Sequence, residues 1–473
     1  MTFLNFKFFF KKKNLKHKLK EKKKETKFYL ITDPHYFASC LGCSGAEYDD
    51  FMHYEQKCFA ETESIVKSVV EYLKNADEAD TVLIAGDLVF NGEKKSHEEF
   101  TALLKELRDS GKRIFVVTAD HDCARDPFAF GEKGRYSPEG IDRDELFDIY
   151  ADYGFGQAIA SDRKHLSYVA QISENVRLLA LNADFKEDGQ YNFDDEQLEW
   201  IDKQAEKARE DGQVMFAMLH YPVLPGQPVF AVIKPATIRK AYDFASFLAD
   251  RGVHLIFTGH MHNQSINEYI TEKGNKFYDV CTGAVIADPA FIRLVTFKDE
   301  KTVDIKSIPT PDFDFDTKGK ECKQYLSDMF DNMIVNVLKD MAYDTPRMMG
   351  KFHIEDKGVT KKLLGIVGKT ICKVKLGTLA RILFIRCDKS IKKMPLLDYA
   401  AELVRNIFEG NQYYKEGTAK GDLLLAFLKR IRFVLKKIEL KDKKGDKLDL
   451  YEVLKNTAGN YDIDDYNATL ILK

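Results

Sequence analysis

The order of apolar segments between residues 28 and 308 most constrains how this chain can fold. Short runs rich in β-branched residues alternate with stretches of helical periodicity, and the final apolar runs follow one another without a helix between them. This order predicts an α/β fold in which two sheets pack together and helices cover their outer faces. The predicted strands are Phe28–Thr32, Thr81–Ala85, Arg113–Thr118, Leu166–Ile172, Val176–Leu181, Val214–Leu219, Val253–Thr258, Glu268–Ile270, Lys276–Val280, Ile292–Phe297 and Val303–Ile308. The predicted helices are Glu55–Asn75, Glu98–Asp109, Arg143–Tyr153, Asp195–Glu210 and Thr237–Asp250.

Acidic residues and histidines directly follow five of these predicted strands. They are Asp33, His35, Asp87, Asp120, His121, Asp122, His220, His260 and His262. Ligand sites in α/β sheets gather at the carboxyl ends of the strands. Asp33 and His35 are two residues apart, so both side chains point the same way from an extended segment, and the last two histidines share this spacing. We therefore expect these side chains to meet in one site.

Carboxylates mixed with imidazoles suit a pair of divalent transition metals. Two such ions held a few ångströms apart can direct an in-line attack on phosphorus. Each of these residues, taken alone, is also consistent with an ordinary buried polar group. Their shared position at strand ends disfavours that alternative for the set, and favours metal-assisted hydrolysis of a phosphate ester.

In this order, the motifs D-x-H, G-D, H-D, H and G-H-x-H resemble those of the calcineurin-like metallophosphoesterase superfamily. The resemblance covers about residues 28–308, in a predicted domain of residues 28–310, and the run Gly86–Glu93 is especially similar to bacterial members. It implies a four-layer α/β/β/α sandwich with a dinuclear metal centre.

The resemblance also implies roles for the individual residues. One metal ion would be bound by Asp33, His35, Asp87 and His262. The other would be bound by Asp87, Asp120, His220 and His260, so that Asp87 bridges the two. A bridging hydroxide would attack phosphorus, His121 would assist the leaving group, and Asp122 would orient His121 or its loop.

The third cluster departs from the family pattern, because Ala119-Asp120-His121-Asp122 stands where Gly-Asn-His-Asp is usual. Asp120 adds a negative charge beside the incoming phosphate, a repulsion on the order of a few kcal/mol before screening by metal. Its carboxylate is also a good hard ligand that should tighten metal binding. We expect a loaded site with reduced or altered turnover. The alternative is a metal-binding scaffold or regulator whose catalysis is weakened.

The resemblance narrows the choice of metal. Purple acid phosphatases carry a tyrosine three residues after the bridging aspartate, and this chain has Phe90 there. A purple Fe(III) enzyme is therefore disfavoured. Mn, Fe(II) and Zn all suit the ligands. Phosphomonoesters and phosphodiesters both stay open as substrates.

The composition changes after Pro309 and Pro311, and residues 319–473 are predicted to form a mainly helical C-terminal domain of unknown role. Within it, residues 357–393 carry eleven Lys and Arg against one acid, Asp388. We prefer to interpret this segment as an amphipathic layer, packed on the core through its apolar side chains with its lysines in water. The alternative is a docking surface for an anionic substrate, nucleic acid or a membrane.

Residues 1–27 are predicted to be a Lys-rich tail, with eleven Lys against two Glu. Its apolar stretch precedes the lysines, the reverse of a secretory signal. We expect a frayed tail, with weak contact to an anionic membrane through Phe and Lys side chains as the alternative.

The charge distribution and the cysteine content limit which partners and which cellular location we expect. The whole chain has a net charge of -3, so the part outside the two basic segments is strongly acidic, which argues against a nucleic-acid partner. Eight cysteines without a dense framework favour a reducing compartment. We therefore expect a cytoplasmic protein, peripheral at the membrane if the tail binds lipid. The oligomeric state stays open.

Overall fold

The computed structural model describes the backbone of residues 25–123, 126–187, 189–232, 236–356, 360–411, 414–436, 440–441, 447–457 and 463–472. The Lys-rich tail predicted for residues 1–27 therefore lies almost entirely outside the described residues. The membrane contact predicted for its Phe side chains lies outside them as well.

Strands and helices alternate through the first two thirds of the described chain, and helices dominate the rest. The strands are β1 (Thr26–Ile31), β2 (Thr81–Ala85), β3 (Arg113–Val117), β4 (Ala129–Gly131), β5 (Gly134–Tyr136), β6 (Ala160–Asp162), β7 (Ser167–Ser173), β8 (Val176–Leu181), β9 (Phe185–Glu187), β10 (Gln190–Asn192), β11 (Val214–Leu219), β12 (Val253–Thr258), β13 (Ser265–Ile270), β14 (Lys276–Cys281), β15 (Phe291–Phe297), β16 (Thr302–Pro309), β17 (Leu440–Lys441), β18 (Lys447–Leu448) and β19 (Asn467–Ile471). The helices are α1 (Ala46–Met52), α2 (Thr62–Asn75), α3 (Lys94–Asp109), α4 (Leu146–Ile149), α5 (Asp195–Glu210), α6 (Ala241–Ala249), α7 (Cys322–Tyr343), α8 (Thr345–Lys351), α9 (Thr360–Lys373), α10 (Leu376–Ile382), α11 (Leu396–Glu409), α12 (Ala419–Leu435) and α13 (Leu450–Thr457).

Two sheets form the centre of the molecule. The first has the strand order β19-β16-β15-β1-β2-β3, and the second has the order β13-β14-β12-β11-β8-β7-β6. The strands β1, β2 and β3 run parallel to one another, and so do β8, β11, β12 and β14. Because parallel strands end at the same edge of a sheet, the loops that follow them lie side by side.

The two sheets pack face to face through aromatic side chains. Phe28 of β1 stacks on Phe216 of β11, with ring centroids 5.1 Å apart, and meets Phe257 of β12 edge-on at 5.6 Å. Buried apolar positions of α2 and α3 cover the first sheet, and those of α5 and α6 cover the second. The predicted four-layer α/β/β/α sandwich with a helical C-terminal region is confirmed.

Two predicted helices differ most from the structure, and those predicted from Glu98 and Thr237 begin at Lys94 and Ala241. The helix predicted from Glu55 begins only at Thr62, because the preceding residues are held elsewhere: the Cys58 N–H donates to the Ile286 carbonyl at 3.3 Å. The helix predicted over Arg143–Tyr153 is broken into a single α-helical turn flanked by 3₁₀ turns. Its Tyr150 ring is fully buried, and the Tyr150 hydroxyl lies 2.8 Å from His97 Nδ1.

The last strand returns to the sandwich and was not predicted. β19 pairs antiparallel with β16 at the edge of the first sheet. The fully buried Arg293 donates to the Asp465 carbonyl at 3.0 Å and to the Cys281 carbonyl at 2.8 Å, which ties this last segment to both sheets. The domain boundary drawn at residue 319 stays a prediction.

The helical region also contacts loops of the sandwich. The Tyr54 hydroxyl donates to Asp340 of α7 at 2.6 Å, and the His53 ring meets the same carboxylate at 2.7 Å. The Gln264 N–H donates to the carbonyl of Phe408 in α11 at 2.8 Å. These contacts bring the end of α11 close to the loop after β12. Within the described part of the chain, no helix combines the length and apolarity needed to cross a membrane.

Candidate metal centre

The loops after β1, β2, β3, β11 and β12 meet at the carboxyl edges of the two sheets, and they carry all the predicted site residues. Five of those residues have a positive φ, a conformation that is uncommon for residues with a side chain. They are Asp33 (51°), His35 (37°), Asp87 (49°), His260 (68°) and His262 (49°). Strained backbone of this kind clusters at functional sites. The loops predicted to bind metal thus carry five such residues among the described part of the chain.

Six of the predicted ligands form two compact groups. Asp33, His35 and His262 make up the first group, and Asp87, His220 and His260 make up the second. Within each group the ligand atoms lie within 4.8 Å of one another.

Asp87 lies between the two groups. Its Oδ2 is 3.0 Å from Nε2 of His220 and 3.4 Å from Nε2 of His35, which belongs to the other group. Its second oxygen, Oδ1, is buried and has no hydrogen-bond partner among the described residues. A buried carboxylate oxygen without a partner is costly unless a ligand satisfies it. The position of Asp87 is therefore suited to contacting two cations.

The buried carboxylates of the cluster are stabilised by nearby positive charge. Burial by itself would lower the pKa of His220, but Asp87 and Asp33 raise it to about 10. Burial by itself would raise the pKa of Asp33, but His220 and His262 hold it well below its usual value. A proton on His220 thus compensates carboxylates that divalent cations can also compensate. The residues present fit divalent metal ions.

Asp120 lies beside these groups but belongs to neither. The Tyr191 hydroxyl donates to Asp120 Oδ2 at 2.8 Å. The Tyr221 hydroxyl is 3.2 Å from Oδ1, but its single proton is shared with Asp184, which is closer at 2.7 Å. The Tyr191 hydroxyl therefore offsets part of the charge that Asp120 carries in place of the usual Asn. Its role as a metal ligand stays a prediction.

His121 is oriented by a backbone carbonyl. Its Nδ1 lies 2.8 Å from the Phe90 carbonyl and donates to it, which leaves Nε2 to face the site. The His121 ring lies edge-on to His35, with centroids 5.0 Å apart. Burial lowers the pKa of His121 below its usual value. The ring is thus close to the first group of ligands without being part of it.

Asp122 holds the loops of the site together. Its Oδ1 accepts from the Leu88 N–H at 2.7 Å and the Val89 N–H at 3.0 Å, and its Oδ2 accepts from the Ala119 N–H at 2.8 Å. Three backbone N–H groups, from the loop after β2 and the loop after β3, thus converge on one fully buried carboxyl group. The resemblance implies that Asp122 orients either His121 or the loop that carries it. The contacts of Asp122 agree with the second of these roles.

Lys57 is a residue at the site that the sequence did not indicate. Its side chain is only 9% exposed, and Nζ lies 4.5 Å from the centre of the Phe90 ring. It lines a cavity of about 280 Å³ together with His35, Asp87 and His121. Among the described residues it forms no ion pair. A buried ammonium without a carboxylate partner beside a metal site is placed to meet an anion.

Comparison with known families identifies the fold and the reaction class. A family model of calcineurin-like phosphoesterases matches residues 26–264, about half of the chain. The chain belongs to this family. It is a metallophosphoesterase, a hydrolase that acts on phosphate esters with the help of metal ions. A comparison with curated proteins gave no match.

Solved structures with phosphatase and nucleotidase names are similar to this phosphoesterase in part. A dimetal phosphatase from Danio rerio is 14% identical, with 60% of this chain and 96% of that chain covered and a TM-score of 0.43. A purple acid phosphatase from yellow lupin is 16% identical, with 62% and 52% covered and a TM-score of 0.42. A 5′-nucleotidase precursor from Thermus thermophilus is 11% identical, with 69% and 68% covered and a TM-score of 0.32.

Glycine at position 259 gives the phosphoesterase site its close packing. A Cβ at Gly259 would overlap the side-chain oxygens of Thr32 and Asp33. The His260 N–H, next in the chain, donates to both oxygens of Asp33, at 3.2 and 3.1 Å. The loop after β12 can therefore hold the Asp33 carboxylate only because residue 259 has no side chain.

A large cavity of about 1010 Å³ opens beside His121. Its lining includes four carboxylates, those of Asp120, Asp142, Glu145 and Asp184, and one guanidinium, that of Arg143. Among the described residues, its lining therefore carries more negative than positive charge. Such a lining disfavours a group with several negative charges of its own.

Proposed function

We propose that this phosphoesterase hydrolyses its substrate at a dinuclear metal centre bridged by Asp87. The single observation that carries the proposal is the position of the Asp87 carboxylate, with Oδ2 3.0 Å from His220 and 3.4 Å from His35. One ion would be held by Asp33, His35, Asp87 and His262. The other would be held by Asp87, His220 and His260, with Asp120 as a further ligand if its carboxylate turns from Tyr191.

Each residue around the centre has a separate task in this proposal. When bound, two divalent ions supply a hydroxide nucleophile at neutral pH and positive charge for the phosphate oxygens. The Phe90 carbonyl holds Nδ1 of His121 at 2.8 Å, so a protonated Nε2 can donate to the leaving oxygen. Lys57, on the wall of the smaller cavity, would bind a non-bridging phosphate oxygen.

The leaving group would occupy the large cavity beside His121. Four carboxylates against one arginine in its lining favour a leaving group that is neutral, hydroxylated or cationic. The same lining supports the expectation that nucleic acid is not a partner. A phosphomonoester places the single dianionic group at the metals and Lys57, and leaves the cavity to an uncharged or cationic alcohol.

The ligand atoms support Mn, Fe(II) or Zn as the metals. Phe90 is almost fully buried among aromatic rings and offers no phenolate, which supports exclusion of a purple Fe(III) site. All eight cysteines are free thiols. This supports a cytoplasmic location, where thiols stay reduced.

The direct test is hydrolysis of p-nitrophenyl phosphate and bis(p-nitrophenyl) phosphate by the metal-stripped protein before and after addition of Mn²⁺. We expect turnover to depend on the metal and to be faster with the monoester. A protein that binds two ions per chain and hydrolyses neither ester would instead support the scaffold alternative.

Lys57→Gln tests the placement of the phosphate. We expect the KM for the dianionic monoester to rise about tenfold, because one charge-assisted contact is lost. The KM for the monoanionic diester should rise less. Lys67→Gln, on the exposed side of α2, is the matched control and should leave both values unchanged. Equal effects of the two substitutions would contradict the proposed role of Lys57.

A further inference from the structure

The surface formed by α9, α10 and the loop up to residue 393, here named the α9–α10 face, exposes large apolar side chains. The exposed fractions are 61% for Leu363, 65% for Ile366, 61% for Ile382 and 88% for Phe384. The interpretation preferred from the sequence placed Ile366, Ile382 and Phe384 on the core, and it is wrong for these three. Large apolar side chains that stay exposed in one segment of a folded chain are typical of a binding site.

The same face carries ten exposed cations. They are Lys361, Lys362, Lys369, Lys373, Lys375, Arg381, Arg386, Lys389, Lys392 and Lys393. Only Asp388 opposes them in this stretch. In the part of the chain that the structure describes, none of the ten forms an ion pair, whereas Lys67 and Lys94 of the sandwich pair with glutamates. The positive charge of the α9–α10 face is therefore not compensated by ion pairs with the described residues.

Phe384 combines an exposed ring with an unusual backbone conformation. Its φ is 53°, in the left-handed region that bulky residues rarely adopt. This strain costs stability, and an aromatic ring that is 88% exposed gives little back through burial in the folded chain. Both costs are offset if the ring enters an apolar phase outside the protein.

An apolar groove continues inward from the exposed side chains. It has a volume of about 410 Å³, and Ile366 and Val367 of α9 form part of its wall. Leu379, Leu403 and Phe427 also line it. Apolar surface thus extends from the exposed rim into a groove between helices, where hydrocarbon can be accommodated.

We propose that the α9–α10 face docks on an anionic phospholipid bilayer. Leu363, Ile366 and Phe384 would enter the boundary between headgroups and acyl chains, and the lysines would contact the phosphates. The apolar side chains suit the acyl chains of such a surface. The cations, which form no ion pair among the described residues, suit its anionic headgroups.

Charge disfavours other occupants of this face. A second copy docked face to face would bring ten cations against ten. The N-terminal segment of this chain is itself rich in lysine, with eleven Lys in residues 1–27. Single-stranded nucleic acid is bound by several aromatic rings in succession, and Phe384 is the one aromatic residue among residues 360–393.

Flotation of the full-length protein with vesicles tests the proposal. Vesicles of phosphatidylcholine containing about one third phosphatidylglycerol should carry the protein at low salt, and pure phosphatidylcholine should not. Combined Leu363→Ser, Ile366→Ser and Phe384→Ser should weaken binding at least about tenfold. Lys361→Gln, Lys362→Gln and Lys369→Gln should each weaken it by about fivefold, and high salt should reduce the effect.

Control substitutions elsewhere on the protein test whether binding depends on the α9–α10 face or only on exposed charge and apolar surface in general. Ile159→Ser with Ile270→Ser removes apolar side chains that are 49% and 55% exposed on the sandwich, and binding should not change. Lys133→Gln, Lys203→Gln and Lys207→Gln remove exposed lysines there, with the same expectation. Unchanged hydrolysis of p-nitrophenyl phosphate without vesicles confirms that each variant is folded.

Three results would overturn the proposal. The first is equal flotation of the wild-type protein and the apolar variant. The second is loss of flotation on Phe8→Ser, Phe9→Ser and Phe10→Ser but not on the face substitutions, which would assign binding to the N-terminal segment. The third is an absence of flotation together with a dimer, seen in sedimentation, that the face substitutions dissociate.

Discussion

The metal centre and the α9–α10 face both violate the usual placement of side chains, in opposite directions. At the centre, Asp33 and Asp87 are carboxylates with 0% and 2% exposure. At the face, Ile366 and Phe384 are apolar and mostly exposed. Buried charge and exposed apolar surface are each costly in the isolated protein. A natural sequence retains such costs where a ligand offsets them, cations in the first case and, in our proposal, lipid in the second.

The largest effect should come from adding one methyl group at the metal centre. Gly259→Ala would push a Cβ into Thr32 and Asp33, displacing the carboxylate of the first metal group. We expect turnover of p-nitrophenyl phosphate to fall by about a thousandfold, with loss of bound metal. Gly350→Ala, in α8 of the helical region, meets no atom within 4 Å and should leave turnover unchanged. If Gly259→Ala bound as much metal as the wild-type protein, this expectation would be wrong.

Truncation of one phenylalanine between the sheets and one on the α9–α10 face should separate core from surface. Phe28→Ala removes a fully buried ring that stacks between the sheets, and should lower the free energy of unfolding by about 3–5 kcal/mol. Phe384→Ala removes a ring that is 88% exposed, and should change it by less than about 0.5 kcal/mol. Denaturant unfolding measures both. A large loss of stability in Phe384→Ala would mean that the ring supports the fold.

His121→Ala should slow hydrolysis of an alkyl phosphate by about a hundredfold, because a poor leaving group needs a proton. The effect on p-nitrophenyl phosphate should be much smaller. Since burial lowers the pKa of His121, its protonated form is lost as pH rises through a value below the usual one. The ratio of alkyl to p-nitrophenyl turnover should therefore fall across that range in the wild type. A ratio that depends on pH in the same way in His121→Ala would count against this role.

Asp120 should give the smallest effect. Asp120→Asn removes a negative charge near the substrate, so we expect turnover to rise by about fivefold. Tyr191→Phe removes the hydroxyl that donates to Asp120 at 2.8 Å, and should lower turnover by a similar factor. Steady-state kinetics on p-nitrophenyl phosphate measures both. Lower turnover in Asp120→Asn would show that the carboxylate contributes more as a ligand than it costs by repulsion.

The position of the predicted ligands followed from local patterns. Short apolar runs located β1, β2 and β12, and the residue types directly after them predicted a metal site. Lys57 lies in a loop between two helices, and its approach to Phe90 depends on how that loop packs. The contact of Tyr191 with Asp120 likewise joins residues far apart in sequence. A local sequence pattern does not indicate contacts between residues that are far apart in the chain.

The C-terminal region shows a second limit of sequence patterns. Helical periodicity tells which side chains of α9 share a face, but not whether another element covers that face. The preferred interpretation assumed a cover over Ile366 and Phe384, and the structure leaves both exposed. β19 was missed for a related reason, because a five-residue strand is defined by its partner, and β16 lies more than 150 residues earlier.

Metal content of the wild-type protein and of Asp87→Asn tests the central claim most directly. Both proteins would be stripped, reloaded with Mn²⁺, separated from free metal and analysed for bound ions per chain. The account predicts two ions per wild-type chain, and fewer in Asp87→Asn with turnover nearly lost, because both groups of ligands share this carboxylate. Two tightly bound ions and unchanged turnover in Asp87→Asn would contradict it.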